Sequence, residues 1–139
     1  MGVQIDIVYE GDFSCKATHA PSTNNLKTDL PVDNGGQGQT FSPTDLVATA
    51  LGTCLITIMG KVAEQEKIDL AGAQIQVMKE MAADPHRRIG ELQTFIKIPK
   101  GKALTEKQKT KLENAAKLCP VKQSLHPDTK INLHFEYLD

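Results

Sequence analysis

Tryptophan is absent from this 139-residue chain, tyrosine occurs twice and phenylalanine four times, so aromatics make up only 4%. That scarcity excludes the stacking platforms on which bases and sugars are held. Charge of one sign is lacking as well. Sixteen basic residues against 17 acidic ones leave a net charge of −1, unlike the strongly basic footprint of a nucleic-acid binder. No run of five or six like charges marks an interaction tail. The longest uncharged stretch, Leu46 to Gly60, is shorter than the ~20 residues of a bilayer span and carries Thr49, Thr53 and Thr57. Met1-Gly2-Val3-Gln4-Ile5-Asp6 has no basic region followed by an apolar one, so no signal peptide is expected, and Asp6 breaks the myristoylation pattern. The expectation is a cytoplasmic protein with no membrane or nucleic-acid partner. Its three cysteines are an odd number and cannot all pair within one chain; in that compartment they are expected to be reduced.

What is present fits one globular domain over 1–139, with 40% apolar and 24% charged residues. Val3, Ile5, Ile7 and Tyr9 alternate with mostly polar neighbours, the period of a half-buried strand. Glu10-Gly11-Asp12 reads as a turn into a second strand, Phe13 to His19. Residues 20–40 are rich in Pro, Asn, Asp and Gly and read as a long loop with one short strand near Leu26 to Leu30.

Ser42-Pro43 with Asp45 opens the strongest helix: cap, N1 proline and an acid three residues after the cap. Val47, Leu51, Cys54, Ile58 and Val62 form its stripe, and Leu46, Ala50, Leu55 and Met59 widen it to most of the circumference. Such a helix, ending near Lys67, calls for cover by sheet or by a second subunit. Gln74 to Met81 and Ile89 to Ile98 read as two strands around Asp84-Pro85-His86. A second helix starts at Thr105, with Gln108 in capping-box spacing, and runs to Cys119. Pro120 interrupts it and a short turn of helix restarts there. Lys130 to Tyr137 is the last strand. Hairpins imply an antiparallel sheet, and the fold class is α+β.

The chemistry-bearing residues are few. His19, His86, His126 and His134 are scattered singly, without metal-ligand spacing. Asn34-Gly35-Gly36-Gln37-Gly38 lacks the Gly-Lys-Ser/Thr of a phosphate loop, and no Ser sits in a Gly-x-Ser-x-Gly elbow. Cysteines remain. Cys54, on an apolar stripe, reads by itself as a small buried hydrophobe. Cys119 at a helix start faces converging backbone N–H groups, which favour thiolate; its bland alternative is a helix-end residue with no role. Cys15, between Ser14 and Lys16, has no partner or base near it in sequence.

Gly35-Gly36 followed by Ser42-Pro43-Thr44-Asp45-Leu46-Val47-Ala48-Thr49-Ala50-Leu51-Gly52-Thr53-Cys54, with Cys119-Pro120-Val121 further on, resembles the OsmC/Ohr family over essentially the whole chain. The resemblance implies an α+β fold of antiparallel sheets wrapped around a long central helix, in an intertwined homodimer. It implies a thiol-dependent peroxidase of organic hydroperoxides, with Cys54 peroxidatic and Cys119 resolving through a Cys54–Cys119 disulfide. An external dithiol would reopen that bond, and no metal, flavin or haem is implied. The hydroperoxide-specialised branch has a glutamate where Thr44 stands, with Asp45 next to it. That branch also uses an N-terminal arginine, whereas this chain has only Arg87 and Arg88; Lys16 or Lys27 would have to substitute, without a planar guanidinium. The likeness is therefore to the less specialised OsmC-like branch. A non-catalytic redox sensor or small-ligand-binding dimer on the same fold is the alternative.

Overall fold

A computed structural model describes all 139 residues, which divide into two compact units, Met1–Val47 and Ala48–Asp139. In the first, β1 (Ile5–Gly11), β2 (Ser14–His19) and β3 (Asn25–Thr28) form an antiparallel meander. Asp12 and Phe13 both take positive φ at the β1–β2 corner, the turn geometry that matches the twist of paired strands. Asp29 to Phe41 then closes on itself: the Asp29 N–H donates to the Phe41 carbonyl and the Asp29 carboxylate accepts from the Gln39 N–H at 3.0 Å. Gly36 is obligatory in this loop, because a Cβ there would fall on the Leu30 carbonyl.

Helix α1 (Pro43–Gln65) leaves the first unit and continues into the second. Its start is fixed as the sequence implies: the Asp45 N–H donates to Ser42 Oγ at 3.1 Å and the Ser42 N–H donates back to the Asp45 carboxylate at 2.9 Å. At 23 residues α1 exceeds the uncharged stretch and would be long enough to span a bilayer. It is nevertheless a core helix along one side, with Leu51, Leu55 and Met59 fully buried.

The second sheet holds β4 (Gln74–Ala82), β5 (Arg88–Ile98) and β6 (Lys130–Tyr137) in that order. β4 and β5 form the antiparallel hairpin read from the sequence, whereas β5 and β6 pair in parallel. Here the all-antiparallel expectation is corrected. Between β5 and β6 lie α2 (Glu106–Lys117) and α3 (Pro120–Ser124), a crossover long enough to bring the chain back in the same direction. Leu92, Ile96 and Ile98 of central β5 join Leu51, Leu55 and Met59 of α1, and Leu112, Ala116 and Cys119, in one core. Gly52 lets α1 lie close on β4: a Cβ there would stand 2.9 Å from Val77 Cγ2.

Candidate functional site: a buried thiol pair

The Thr105 capping box starts α2, its hydroxyl accepting from the Gln108 N–H while Gln108 Oε1 accepts from the Thr105 N–H. The buried Leu112 and Ala116 hold the helix to the core. α2 ends at Leu118, and Cys119 becomes the N-cap of α3, with Pro120 in the first helical position. Cys119 Sγ accepts from the Lys122 N–H at 3.4 Å. Cys119 is fully buried and Cys54, on α1, half-buried. The fold brings these two together: the Cys54 side chain lies close enough to the Cys119 thiol to bear on its ionisation.

The electrostatics of the pair reverse one expectation. The N-cap position favours a Cys119 thiolate, and the Lys122 and Val121 N–H groups do pull that way. Burial outweighs them. It pushes the Cys119 thiol above its ordinary value, and the neighbouring Cys54 side chain and its charge push in the same direction. A five-residue helix with one long N–H···S contact offers too little to offset the desolvation of a wholly buried sulfur. Cys119 is therefore held as a thiol above the ordinary cysteine range.

The other residues singled out fall in the first unit. Thr44 Oγ1 lies 3.3 Å from Ser42 Oγ, and Asp45 closes the α1 cap. Lys16 is exposed on β2, paired in the ladder with Val8 on one side and Lys27 on the other; Lys27 itself is held by Glu10 at 3.4 Å. Cys15 pairs with Tyr9 and Thr28, half-buried. No three His, Cys, Asp or Glu side chains gather as a metal ion would require.

Sequence reasoning missed the support beneath α2. Tyr137 of β6 donates its hydroxyl to the Glu113 carboxylate at 2.7 Å, a partnership between residues 24 apart that no local pattern signals.

The decisive comparison is at the level of family: residues 36–134 match the OsmC-like protein family. The chain belongs to it. The matched span includes both Cys54 and Cys119. No curated protein matches. Among solved structures, a protein of Psychrobacter arcticus 273-4, provisionally described as an osmotic stress induced and detoxification response protein, is 41% identical. The match covers 98% of each chain, with a TM-score of 0.90. Two more distant structures share the OsmC-like fold. The organic hydroperoxide resistance protein OsmC of Legionella pneumophila is 17% identical over 98% of this chain and 97% of its own, at a TM-score of 0.77. An organic hydroperoxide resistance protein of Elizabethkingia anophelis is 14% identical over 99% and 97%, at 0.76.

Proposed function

We propose that this OsmC-like chain is a thiol peroxidase that reduces organic hydroperoxides to alcohols, with Cys54 as nucleophile and Cys119 as resolving thiol. The contact between the two thiols, one half-exposed and the other buried and held protonated, carries this reading. It is supported by family membership and by the hydroperoxide resistance in the names of structural relatives.

The Cys54 thiolate attacks one oxygen of the hydroperoxide. The O–O bond breaks, the alkoxide takes a proton and leaves as alcohol, and Cys54 becomes a sulfenic acid. Cys119 then attacks the Cys54 sulfur. A disulfide forms, the sulfenic hydroxyl takes the Cys119 proton, and water leaves. An external dithiol restores both thiols by exchange. Asp45 and Thr44 support the site by fixing the start of the helix that carries Cys54. Lys16 is the candidate cation for the role the family gives to arginine.

The whole chain acts as one domain in a homodimer; the family match runs across the boundary between its two compact units. Ile5, Ile7 and Tyr9 lie on one side of β1 and are all exposed. On α1, Thr49, Thr53 and Thr57 form an exposed row, and the hydroxyls of Thr53 and Thr57 are turned back onto the carbonyls of Thr49 and Thr53. Each surface is one that a second copy would cover.

The test is turnover of tert-butyl hydroperoxide with dithiothreitol. Cys54→Ser abolishes consumption, because a serine hydroxyl is hardly ionised near neutral pH. Cys119→Ser still allows one oxidation per subunit, trapped as a Cys54 sulfenic acid by dimedone. Consumption that survives in Cys54→Ser, or a single slow oxidation of the unaltered protein without turnover, would overturn the reading; the second outcome describes a sensor.

A further inference from the structure

Charge is distributed unevenly along the chain. Residues 100–122 hold seven of the 16 basic side chains and two of the 17 acidic ones, so this segment carries +5 in a chain of net −1. About half of the segment is α2, which itself holds four lysines against two glutamates, with Lys100, Lys102 and Lys122 flanking it; its outward face is drawn by burial: Lys107, Thr110, Lys111, Asn114, Lys117 and Leu118 are exposed along one side, opposite Leu112 and Ala116. From Lys107 to Lys117 the strip is about 15 Å long at helical rise. Both acids of the segment are engaged. Glu106 pairs with Lys109 at 3.2 Å, and Glu113 accepts the Tyr137 hydroxyl. Lys111 is balanced by Glu66 at 3.3 Å, while Lys107 and Lys117 stand exposed at either end. Leu118, at 70% exposure, closes the strip and is followed at once by the buried Cys119.

We propose that this face of α2 is the docking surface for an acidic protein that carries the reducing dithiol. The inference rests on the Cys54–Cys119 disulfide proposed above, which needs such a reductant in every cycle. In the transfer, the partner's two thiols become a disulfide and the Cys54–Cys119 bond opens to two thiols, so two electrons and two protons pass to this chain. Exposed lysines beside one half of that disulfide attract an acidic surface and orient it before exchange, and such steering shows in the association rate. A membrane fits less well, because Leu118 is the single apolar residue on the strip and offers little to insert. Nucleic acid fits less well too, since no aromatic accompanies the lysines.

Two synthetic peptides test this, each with a Cys-Gly-Pro-Cys dithiol, flanked in one by four glutamates and in the other by four glutamines. Reduction of the oxidised protein is timed with each, and every rate is divided by that peptide's rate with neutral 2-hydroxyethyl disulfide. The acidic peptide is expected to be about tenfold faster at low salt, with the advantage gone at 0.5 M salt, where the Debye length is about 4 Å. It should also be gone in Lys107→Glu/Lys117→Glu, which dithiothreitol reduces as fast as the unaltered protein. Equal normalised rates for the two peptides, or an advantage that persists in the variant, would overturn the docking surface while leaving the peroxidase reading intact. Failure of the protein to form the Cys54–Cys119 disulfide at all would remove the peroxidase reading and this surface with it. Equal peptide rates together with lysine-dependent sedimentation on phosphatidylglycerol vesicles would assign the strip to a lipid surface instead.

Discussion

Tyr137 near the end of β6 donates its hydroxyl to Glu113 of α2 at 2.7 Å, and the Lys109 ammonium lies 4.8 Å from the Tyr137 ring centroid. One side chain so ties the helix that leads to Cys119 onto the sheet. Burial, followed by the hydrogen bond to Glu113, holds the phenol well above its ordinary pKa. A group raised in this way contributes stability that is complete below its unfolded value, near 10, and is lost as pH climbs beyond it. Tyr137→Phe is expected to cost roughly 1 kcal/mol at neutral pH and to make the remaining stability less sensitive to alkali. Urea unfolding at neutral pH and at about pH 10.5 measures both. A variant as alkali-sensitive as the unaltered protein would remove the linkage.

Gly52 sits two residues before Cys54, where α1 meets β4. An added Cβ would stand 2.9 Å from Val77 Cγ2 and 3.2 Å from Ile75 Cγ2. Both neighbours are β-branched and stiff about χ1, so the contact is relieved by moving the helix. Alanine would gain about 1 kcal/mol of helix propensity over glycine, against roughly 1–3 kcal/mol for overpacking. Gly52→Ala is expected to destabilise by about 1 kcal/mol and to slow formation of the Cys54–Cys119 disulfide, read by non-reducing mass mapping. A gain in stability would show that the sheet yields at this point.

The thiol pair makes a prediction about pH. With burial and Cys54 both raising its pKa, Cys119 is expected to react with iodoacetamide only in alkaline solution, above the ordinary cysteine range of about 8.5. Cys54→Ala removes the neighbouring thiol and its charge together. The reactivity profile of Cys119 should then move to lower pH, while burial keeps it above that of an exposed cysteine. An unmoved profile would mean that Cys54 does not bear on it.

Much of the fold was legible because its signals are local. The caps at Ser42 and Thr105, the alternation in β6 and the break at Pro120 all appear where the sequence puts them, whereas β1, expected to be half-buried, is exposed on both faces in the chain taken alone. The parallel pairing of β6 was not legible, since strand direction depends on the return path through α2 and α3 rather than on any residue of β6. The thiol pair was half legible. Cys54 and Cys119 could be named from their motifs, but the state of Cys119 turns on burial, a property of the packed core. Neither Tyr137–Glu113 nor the basic strip on α2 carried a motif. The first joins distant residues, and the second is hidden in a charge balance near zero for the chain as a whole.

The last prediction concerns the second copy. Ile7 is 66% exposed on β1, beside Ile5 and Tyr9, an apolar face that a lone chain leaves in water. At ~25 cal/mol per Å2 its burial between two copies would be a main source of their affinity. Since the chain is 15.2 kDa, light scattering at micromolar concentration is expected to give a species of about 30 kDa, as a closed two-fold dimer requires. Ile7→Glu places a carboxylate in that face without disturbing a buried position of its own unit. It should shift the mass to that of one chain while far-ultraviolet circular dichroism stays unchanged. A stable monomer of the unaltered protein, or a dimer indifferent to Ile7→Glu, would mean that the β1 face is not where the copies meet.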